Sequence, residues 1–308
     1  MMARVEFTNP FRCEGAWLRG AIHVHTTASD GLLSPEQALI AYKARGYDFV
    51  VIADHWRLTP VDDVAPSVGI IAIPGEELSV GRSLAGTSMH VVAVGLSEEL
   101  SRERASGWDA QRAIDAVREG GGEALIAHPS WSDLCFADLL GLEGYLGVEV
   151  YNTNCDVSAG KGWSWSQWLG LLSSGKLVYG VAADDAHWGS GEHSRLDAFG
   201  GWVLVKAGSA DADSVLRALR SGMFYSSTGP EILDVEVRGD EVVVRTSPVR
   251  AVTFLSREGH GRRYEAVSGG ALTEVRHGLS GRERFVVVAC EDWSGRVAWT
   301  NPMRVLPD

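Results

Sequence analysis

Short apolar runs alternate with mixed polar and apolar segments up to about residue 226. The runs are rich in valine, isoleucine and alanine, a pattern typical of strands that are buried on both faces of a parallel sheet. We expect strands at residues 21–25, 48–53, 69–73, 90–96, 124–127, 147–151, 177–182 and 202–205.

The segments between these strands carry helix signals. Ser34 can cap a helix that has Pro35 at its first position and stops at Gly46. About seven or eight strand–helix units of this kind predict a closed α/β barrel, because each helix returns the chain to begin a parallel strand. Further helices are predicted at residues 108–119, 133–140, 165–173 and 213–221.

The pattern changes from about residue 227. Short strand-like runs then follow one another between glycine-containing turns, which is typical of a small all-β module. We therefore expect two domains, a barrel over residues 1–228 and a sandwich-like all-β domain over residues 229–308. The predicted strands of the second domain cover residues 232–237, 241–245, 251–255 and 284–289.

Polar residues stand repeatedly where an apolar run ends. His23 and His25 lie two residues apart in the first strand, so their side chains share one face. The carboxyl ends of parallel barrel strands lie on one rim, and this is the usual place of an active site. The pattern therefore predicts one shared site rather than scattered polar groups in the core. The residues that come shortly after other runs are His55, Glu77, His128 and Asp185.

The composition of the 308 residues is that of a globular protein, with 45% hydrophobic and 22% charged residues. The net charge of −12 argues against nucleic acid as the main partner, since that contact needs clustered Lys and Arg. Four scattered cysteines without a CxxC pair indicate a reducing compartment and no disulfide framework. We find no signal peptide and no run that could cross a bilayer, and we expect a cytoplasmic protein without a membrane partner.

The ligand capacity of the predicted rim exceeds what one metal ion uses. Imidazoles and carboxylates without thiolates suit Zn²⁺, Mn²⁺ or Fe²⁺. Two or three such ions would hold a bridging hydroxide, which we expect at Glu77, Asp185 and His187. The candidate ligands are His23, His25, Asp30, His55, Glu77, His90, His128, Asp185 and His187.

Several separated motifs between residues 19 and 230 resemble the PHP (polymerase and histidinol phosphatase) superfamily. The motifs are His-x-His at 23–25 with Ser-Asp-Gly at 29–31, Ala-Asp-His at 53–55, Pro-Gly-Glu-Glu-Leu-Ser at 74–79, Ile-Ala-His-Pro at 126–129 and Asp-Ala-His at 185–187. A Trp-x-Arg-Gly lead-in at 17–20 and the segments at 224–230 and 298–302 resemble the two-domain branch that contains carbaryl hydrolase.

This resemblance implies a distorted (β/α)₇ barrel with a trinuclear type of metal centre. It implies that Glu77 bridges a first ion and a second ion held also by His90 and His128. His90 precedes its apolar run, so only the resemblance assigns it to the site. The other implied ligands are His23, His25 and Asp185 for the first ion, and Asp30, His55 and His187 for the third.

The acidic neighbours of these ligands have a different predicted role. Adjacent residues of a strand face opposite ways, so Glu76 and Asp184 are not expected to be ligands beside Glu77 and Asp185. For Asp54 and Asp184 two interpretations stand, one in which they orient imidazoles and one in which they are capping or solvated groups.

Substrate contacts are predicted from the polar segments near the rim. Arg195, His193 and Lys161 carry or can carry positive charge that would neutralise a phosphate, although a surface salt bridge is the alternative for Arg195. Trp131 and Trp188 come shortly after ligand strands, where they would either stack on a substrate ring or simply pack.

The sequence predicts a metal-dependent phosphoesterase that hydrolyses a small phosphate ester with a metal-bridging hydroxide in a di- or trinuclear centre. The alternative enzyme is a carbamate or amide ester hydrolase that uses the same centre. A third interpretation is a structural or regulatory metal site beside a β module that binds a partner, although structural sites tend to be closed and mononuclear. We expect a small-molecule ester as the partner, and the oligomeric state stays open.

Overall fold

The computed structural model describes residues 4–189, 196–267 and 269–306. Within them, helices surround a large sheet that contains parallel strands. The helices are α1 (Pro35–Ala44), α2 (Ala65–Val68), α3 (Ala110–Glu119), α4 (Phe136–Leu140), α5 (Thr153–Ala159), α6 (Trp165–Ser173) and α7 (Ala212–Arg220), with a 3₁₀ turn at Pro10–Arg12. The strands are β1 (Arg4–Glu6), β2 (Ala16–Val24), β3 (Phe49–Ile52), β4 (Ile71–Val80), β5 (Met89–Val94), β6 (Glu123–Ile126), β7 (Gly147–Asn152), β8 (Tyr179–Ala183), β9 (Trp202–Ala207), β10 (Phe224–Ser227), β11 (Ile232–Arg238), β12 (Glu241–Val249), β13 (Ala251–Leu255), β14 (Arg262–Glu265), β15 (Leu272–Gly278), β16 (Phe285–Glu291), β17 (Val297–Thr300) and β18 (Met303–Leu306).

One sheet runs through most of the molecule. Its strand order is β1-β18-β16-β17-β10-β9-β2-β3-β4-β5-β6-β7-β8, and β13 and β14 extend from β16. A second sheet has the order β11-β12-β15. The parallel pairs of the main sheet are β2–β3, β3–β4, β6–β7 and β7–β8.

The expectation that the strands of the first domain all run parallel is wrong at two places. β5 is antiparallel to both β4 and β6, and β9 is antiparallel to β2. Only residues 81–88 join β4 to β5, and this segment is too short for a helical crossover but suits a hairpin. The first residues of β5 therefore lie beside the last residues of β4.

The ends of β2 and β8 meet although other strands separate them in the sheet order. The backbone N–H of Asp185 donates to the carbonyl of His23 at 2.9 Å, and the N–H of His25 donates to the carbonyl of Ala186 at 3.0 Å. This contact brings the residues that follow β8 against the histidine-bearing end of β2.

Helix α1 begins where the sequence predicts. Oγ of Ser34 accepts a hydrogen bond from the N–H of Gln37 at 3.2 Å, and Oε1 of Gln37 accepts one from the N–H of Ser34 at 2.9 Å. These two bonds satisfy N–H groups that have no partner inside the helix. The buried side chains Ala38, Leu39 and Tyr42 pack in one apolar cluster with strand β3.

The C-terminal part of the chain is built of strands, as expected. Some of them continue the main sheet, whereas β11, β12 and β15 form the second sheet. β10 pairs with β9 on one side and with β17 on the other. β1, close to the N-terminus, pairs with β18. The division between residues 228 and 229 stays a prediction. Among the described residues, none of the helices has the length and apolar character that crossing a membrane requires.

Candidate functional site

Three groups of side chains at the ends of the strands bring ligand atoms within 4.8 Å of one another. Two residues are shared, since Glu77 belongs to both the inner and the side group defined here, and His25 belongs to both the inner and the outer group. The inner group is His23, His25, Glu77 and Asp185; the side group is Glu77, His90 and His128; the outer group is His25, Asp30, His55 and His187. These are the nine residues proposed as ligands from the sequence.

The reversed strand β5 explains why His90 belongs to this cluster. His90 lies at the beginning of β5, opposite Ser79 near the end of β4. A residue at the start of an antiparallel strand reaches the same rim as residues at the ends of its neighbours. If all strands ran parallel, as the sequence predicts, His90 would lie at the end of β5 that faces away from this rim.

Glu77 is the carboxylate at the centre of the cluster, and it is 1% exposed. Its Oε1 lies 2.7 Å from Nδ1 of His90 and 3.0 Å from Nε2 of His128. Its Oε2 lies 3.2 or 3.3 Å from three further ring nitrogens, which are Nε2 of His23, Nε2 of His25 and Nδ1 of His55.

The inner group fits a divalent cation. Oδ1 of Asp185 is buried and has no hydrogen-bond partner among the described residues, although it lies 3.1 Å from Nε2 of His25 and 3.4 Å from Nε2 of His23. These two ring nitrogens are themselves 3.0 Å apart. Buried polar atoms are rarely left unpaired, and nitrogen and oxygen donors that face one point are the ligand set of Zn²⁺ and similar ions.

In the inner group, the imidazoles and the carboxylates stabilise each other's charged forms. Burial alone would lower the pKa of His25, but the carboxylates of Asp185 and Glu77 outweigh it and raise the pKa to about 9. Burial likewise opposes the charged form of His23, whose pKa is nevertheless raised by Asp185 and by other acids. In return, burial would raise the pKa of Glu77 and Asp185, but nearby imidazoles hold both values below their usual range.

In the outer group, which is more exposed to solvent, opposite charges also stabilise each other. A hydrogen bond with His187 lowers the pKa of Asp30. Burial tends to lower the pKa of His187, but the bond with Asp30 raises it overall. The pKa of His55 is lowered, mainly by burial. The raised pKa of His25 favours a protonated ring at neutral pH, so a cation that binds there must displace a proton.

Glu149 was missed by the sequence analysis, although it holds two of the proposed ligands. Its Oε1 lies 2.7 Å from Nδ1 of His23, and its Oε2 accepts hydrogen bonds at 2.8 Å from the N–H of His128 and from Nδ2 of Asn152. A carboxylate on Nδ1 leaves Nε2 of His23 free to face the inner group. The available signal was a single acid inside the apolar run 147–151.

Among the described residues, Asp54 and Asp184 bond to hydroxyl and backbone groups rather than to an imidazole, although Oγ of Ser29, which bonds to Asp54, lies 3.4 Å from Nδ1 of His25. Asp54 accepts hydrogen bonds at 2.7 Å from the N–H and Oγ1 of Thr26 and from Oγ of Ser29. Asp184 accepts one from the hydroxyl of Tyr42 at 2.8 Å and others from backbone N–H groups of residues 199–201. Both acids therefore fix loops, which agrees with the capping alternative.

The predicted substrate contacts have mixed outcomes. Arg195 and His193 lie outside the described residues. Lys161 forms an exposed ion pair, with its Nζ 2.6 Å from Oδ1 of Asp133. Its charge is therefore already engaged at the surface.

The two tryptophans near the rim differ from each other. Trp188 is buried against Tyr42 and donates its Nε1–H to the carbonyl of His25 at 3.1 Å, so a substrate-stacking role for it is wrong. Trp131 is 43% exposed, and its ring centroid lies 5.0 Å from that of His128. Trp131 therefore lies beside the side group and in contact with solvent.

Comparison with known proteins gives local and distant similarities. No family model matches the sequence. A 5′-3′ exoribonuclease from Haemophilus influenzae is 34% identical over 76 residues, a match that spans 24% of this chain and only 27% of the exoribonuclease.

Two solved structures resemble the fold at low identity. A two-domain protein from Bacteroides vulgatus that contains a predicted PHP-like metal-dependent phosphoesterase matches with a TM-score of 0.49 and 14% identity, over 94% of this chain and 93% of that one. An amidohydrolase from Chromobacterium violaceum, with bound sulfate and no metal, matches with a TM-score of 0.45 and 16% identity, over 55% of this chain and 87% of that one. Similarity of this degree decides neither the activity nor the family of the chain.

Replacement of Glu149 by Gln tests its role as a positioning group. We expect Glu149→Gln to weaken Zn²⁺ binding by about 10- to 100-fold, because His23 loses the charged partner that fixes its ring. Competition against a chromogenic chelator measures the affinity. Glu143→Gln is the control, since Glu143 is exposed and pairs with Lys176 away from the cluster. Equal Zn²⁺ affinity in the two variants would contradict this role.

Metal binding should release protons. With the pKa of His25 raised to about 9, its ring carries a proton at pH 7, and a cation can bind there only after that proton leaves. Calorimetric titration with Zn²⁺ in buffers of different ionisation enthalpy measures the number released. We expect net release at pH 7 that declines as the pH rises through about 9. Heats that are independent of the buffer at pH 7 would refute the prediction.

Proposed function

We propose that this chain is a metal-dependent phosphoesterase. The observation that carries the proposal is one buried carboxylate, Glu77, shared by two groups of imidazoles, with a third group joined through His25. Ions about 3.5–4 Å apart in such an arrangement act together on the attacking and leaving oxygens of a phosphoryl group. The donor set, which contains nitrogen and oxygen and no thiolate, is consistent with that chemistry.

We assign one ion to the inner group and one to the side group. A third ion would bind in the outer group, so the centre holds two or three ions. Zn²⁺, Mn²⁺ and Fe²⁺ all suit the donors. In this proposal the strands β2 to β8 form the distorted (β/α)₇ barrel of the PHP type, and the protein acts in the cytoplasm. When bound, the ions would supply a nucleophile at neutral pH by lowering the pKa of water.

The inner and outer groups differ in their exposure to solvent, and we assign them different roles. The inner group is buried, which excludes bulk water and strengthens electrostatic interactions there. In the outer group, the side chains of Asp30, His55 and His187 are 53%, 28% and 24% exposed. A phosphate ester would therefore approach from the side of the outer group. Asp54 holds the loop that carries Asp30 in position for this approach.

A small ester suits this site better than a polynucleotide. The net charge of −12 disfavours an extended polyanion.

Chelation and a pair of adjacent variants test the proposal. Protein stripped with a chelator should lose activity on p-nitrophenyl phosphate and regain it with Mn²⁺, Zn²⁺ or Fe²⁺. Glu77→Gln should lower kcat/KM by more than about 100-fold, because removing the shared carboxylate costs several kcal/mol of stabilisation. Glu76→Gln is the matched control, since Glu76 is the adjacent residue and accepts a hydrogen bond from the N–H of Leu100 outside the cluster.

Three outcomes would count against a phosphoesterase. Activity that is indifferent to metal would overturn the metal-dependent mechanism. Turnover of an aryl carbamate, without turnover of the phosphate ester, would favour the carbamate or amide hydrolase. One tightly held ion, with no turnover of any ester, would favour a structural or regulatory site.

A further inference from the structure

Trp131 forms a wall of the candidate site next to the side group. Its ring centroid lies 5.0 Å from that of His128 and 6.1 Å from that of His90. The indole plane stands at 75° and 67° to these two imidazoles. Nδ1 of His90 and Nε2 of His128 both face Oε1 of Glu77, at 2.7 and 3.0 Å, so the indole borders the cluster directly.

The loop that carries Trp131 is fixed by its neighbours. The N–H of Ser132 donates to the carbonyl of His128 at 3.1 Å, and Oγ of Ser132 lies 3.0 Å from Nδ1 of the same histidine. The N–H of Ser130 donates to Oγ of Ser164 at 3.0 Å. These bonds hold the backbone on both sides of Trp131, so the loop needs little rearrangement when a ligand packs on the ring.

The exposure of Trp131 is unusual for a tryptophan beside a buried cluster. Its side chain remains 43% exposed, whereas Trp188 on the other side of the site is buried. A large ring at the mouth of a site offers apolar area and an aromatic face at little entropic cost. Two residues further along the chain, Oδ1 of Asp133 lies 2.6 Å from Nζ of Lys161, so this acid already has a partner.

We propose that Trp131 determines substrate specificity by packing on a planar ring in the alcohol part of the phosphate ester. The substrate class is then a phosphomonoester of an alcohol that carries a planar aromatic ring, rather than of an alkyl or sugar alcohol. In the reaction, an oxygen from water bonds to phosphorus, the bond from phosphorus to the alcohol oxygen breaks, and that oxygen takes up a proton. This inference rests on the proposed phosphoesterase function.

Benzyl phosphate and cyclohexylmethyl phosphate provide a matched pair of substrates. Their alcohols are similar in size, but only the benzyl ring is planar and aromatic. Because benzyl alcohol is also slightly the better leaving group, the change in ratio between the unaltered protein and Trp131→Leu carries the test. With metal-loaded protein, we expect kcat/KM to favour benzyl phosphate by about 3- to 10-fold, the range that an aromatic contact supplies. Trp131→Phe should keep most of this preference.

Two further variants separate the aromatic contact from a merely structural role. Trp131→Leu retains apolar cover over the side group without an aromatic face, and it should bring the ratio close to one while the bound metal stays unchanged. Trp293→Ala is the control, since Trp293 is an exposed tryptophan (56%) outside the three groups, and its ratio should match that of the unaltered protein.

The results distinguish the two proposals. Equal rates for the two esters in the unaltered protein, or a preference that survives Trp131→Leu, would overturn the role of Trp131 alone. Absence of turnover for both esters with every metal would overturn the phosphoesterase function and this inference with it.

Discussion

A buried carboxylate surrounded by imidazoles is the interaction on which the candidate site depends. Glu77 lies among ring nitrogens supplied by β2, β5 and the segments after β3 and β6. A carboxylate buried without partners would take up a proton, whereas these imidazoles hold the pKa of Glu77 well below its usual range. Each sign of charge compensates the other, so removal of one would leave the other buried and unpaired. The strands must therefore deliver both together.

Two residues of the site have unfavourable backbone conformations that bring these side chains together. Asp185 and His128 have φ values of +56° and +28°, in the left-handed region that side chains disfavour. Such residues cost of order 1–3 kcal/mol each, and they persist where surrounding contacts fix them. The N–H of Asp185 is bound to the carbonyl of His23, and that of His128 to the carboxylate of Glu149. The contacts that fix the strained backbone are thus made by the site itself.

Local signals predicted much of this arrangement, and non-local features account for what was missed. The spacing of His23 and His25 and the cap at Ser34 depend on a few neighbouring residues, so the sequence alone reveals them. The direction of β5 depends on the short connection after β4, and without that direction His90 had no place at the rim. Glu149 lies in an apolar run, and its role depends on His23, which is distant in the chain. Trp188 is buried and Trp131 is exposed because different elements of the fold surround the two rings. The residues next to each tryptophan in the sequence do not predict this difference.

Two strands near the C-terminal end of the main sheet, β10 and β17, contact strand β8, which leads to the site. The carbonyl of Gly180 in β8 accepts hydrogen bonds at 2.9 Å from Nε1 of Trp299 in β17 and from Oγ of Ser226 in β10. On the other side, a Cβ at residue 180 would lie 2.7 Å from the ring of Trp168, so glycine permits α6 to pack closely there. β8 is therefore held from both sides just before the chain reaches Asp185. The described β10 and β17 thus act on the proposed centre through the position of β8, because the three groups contain no residue from either strand.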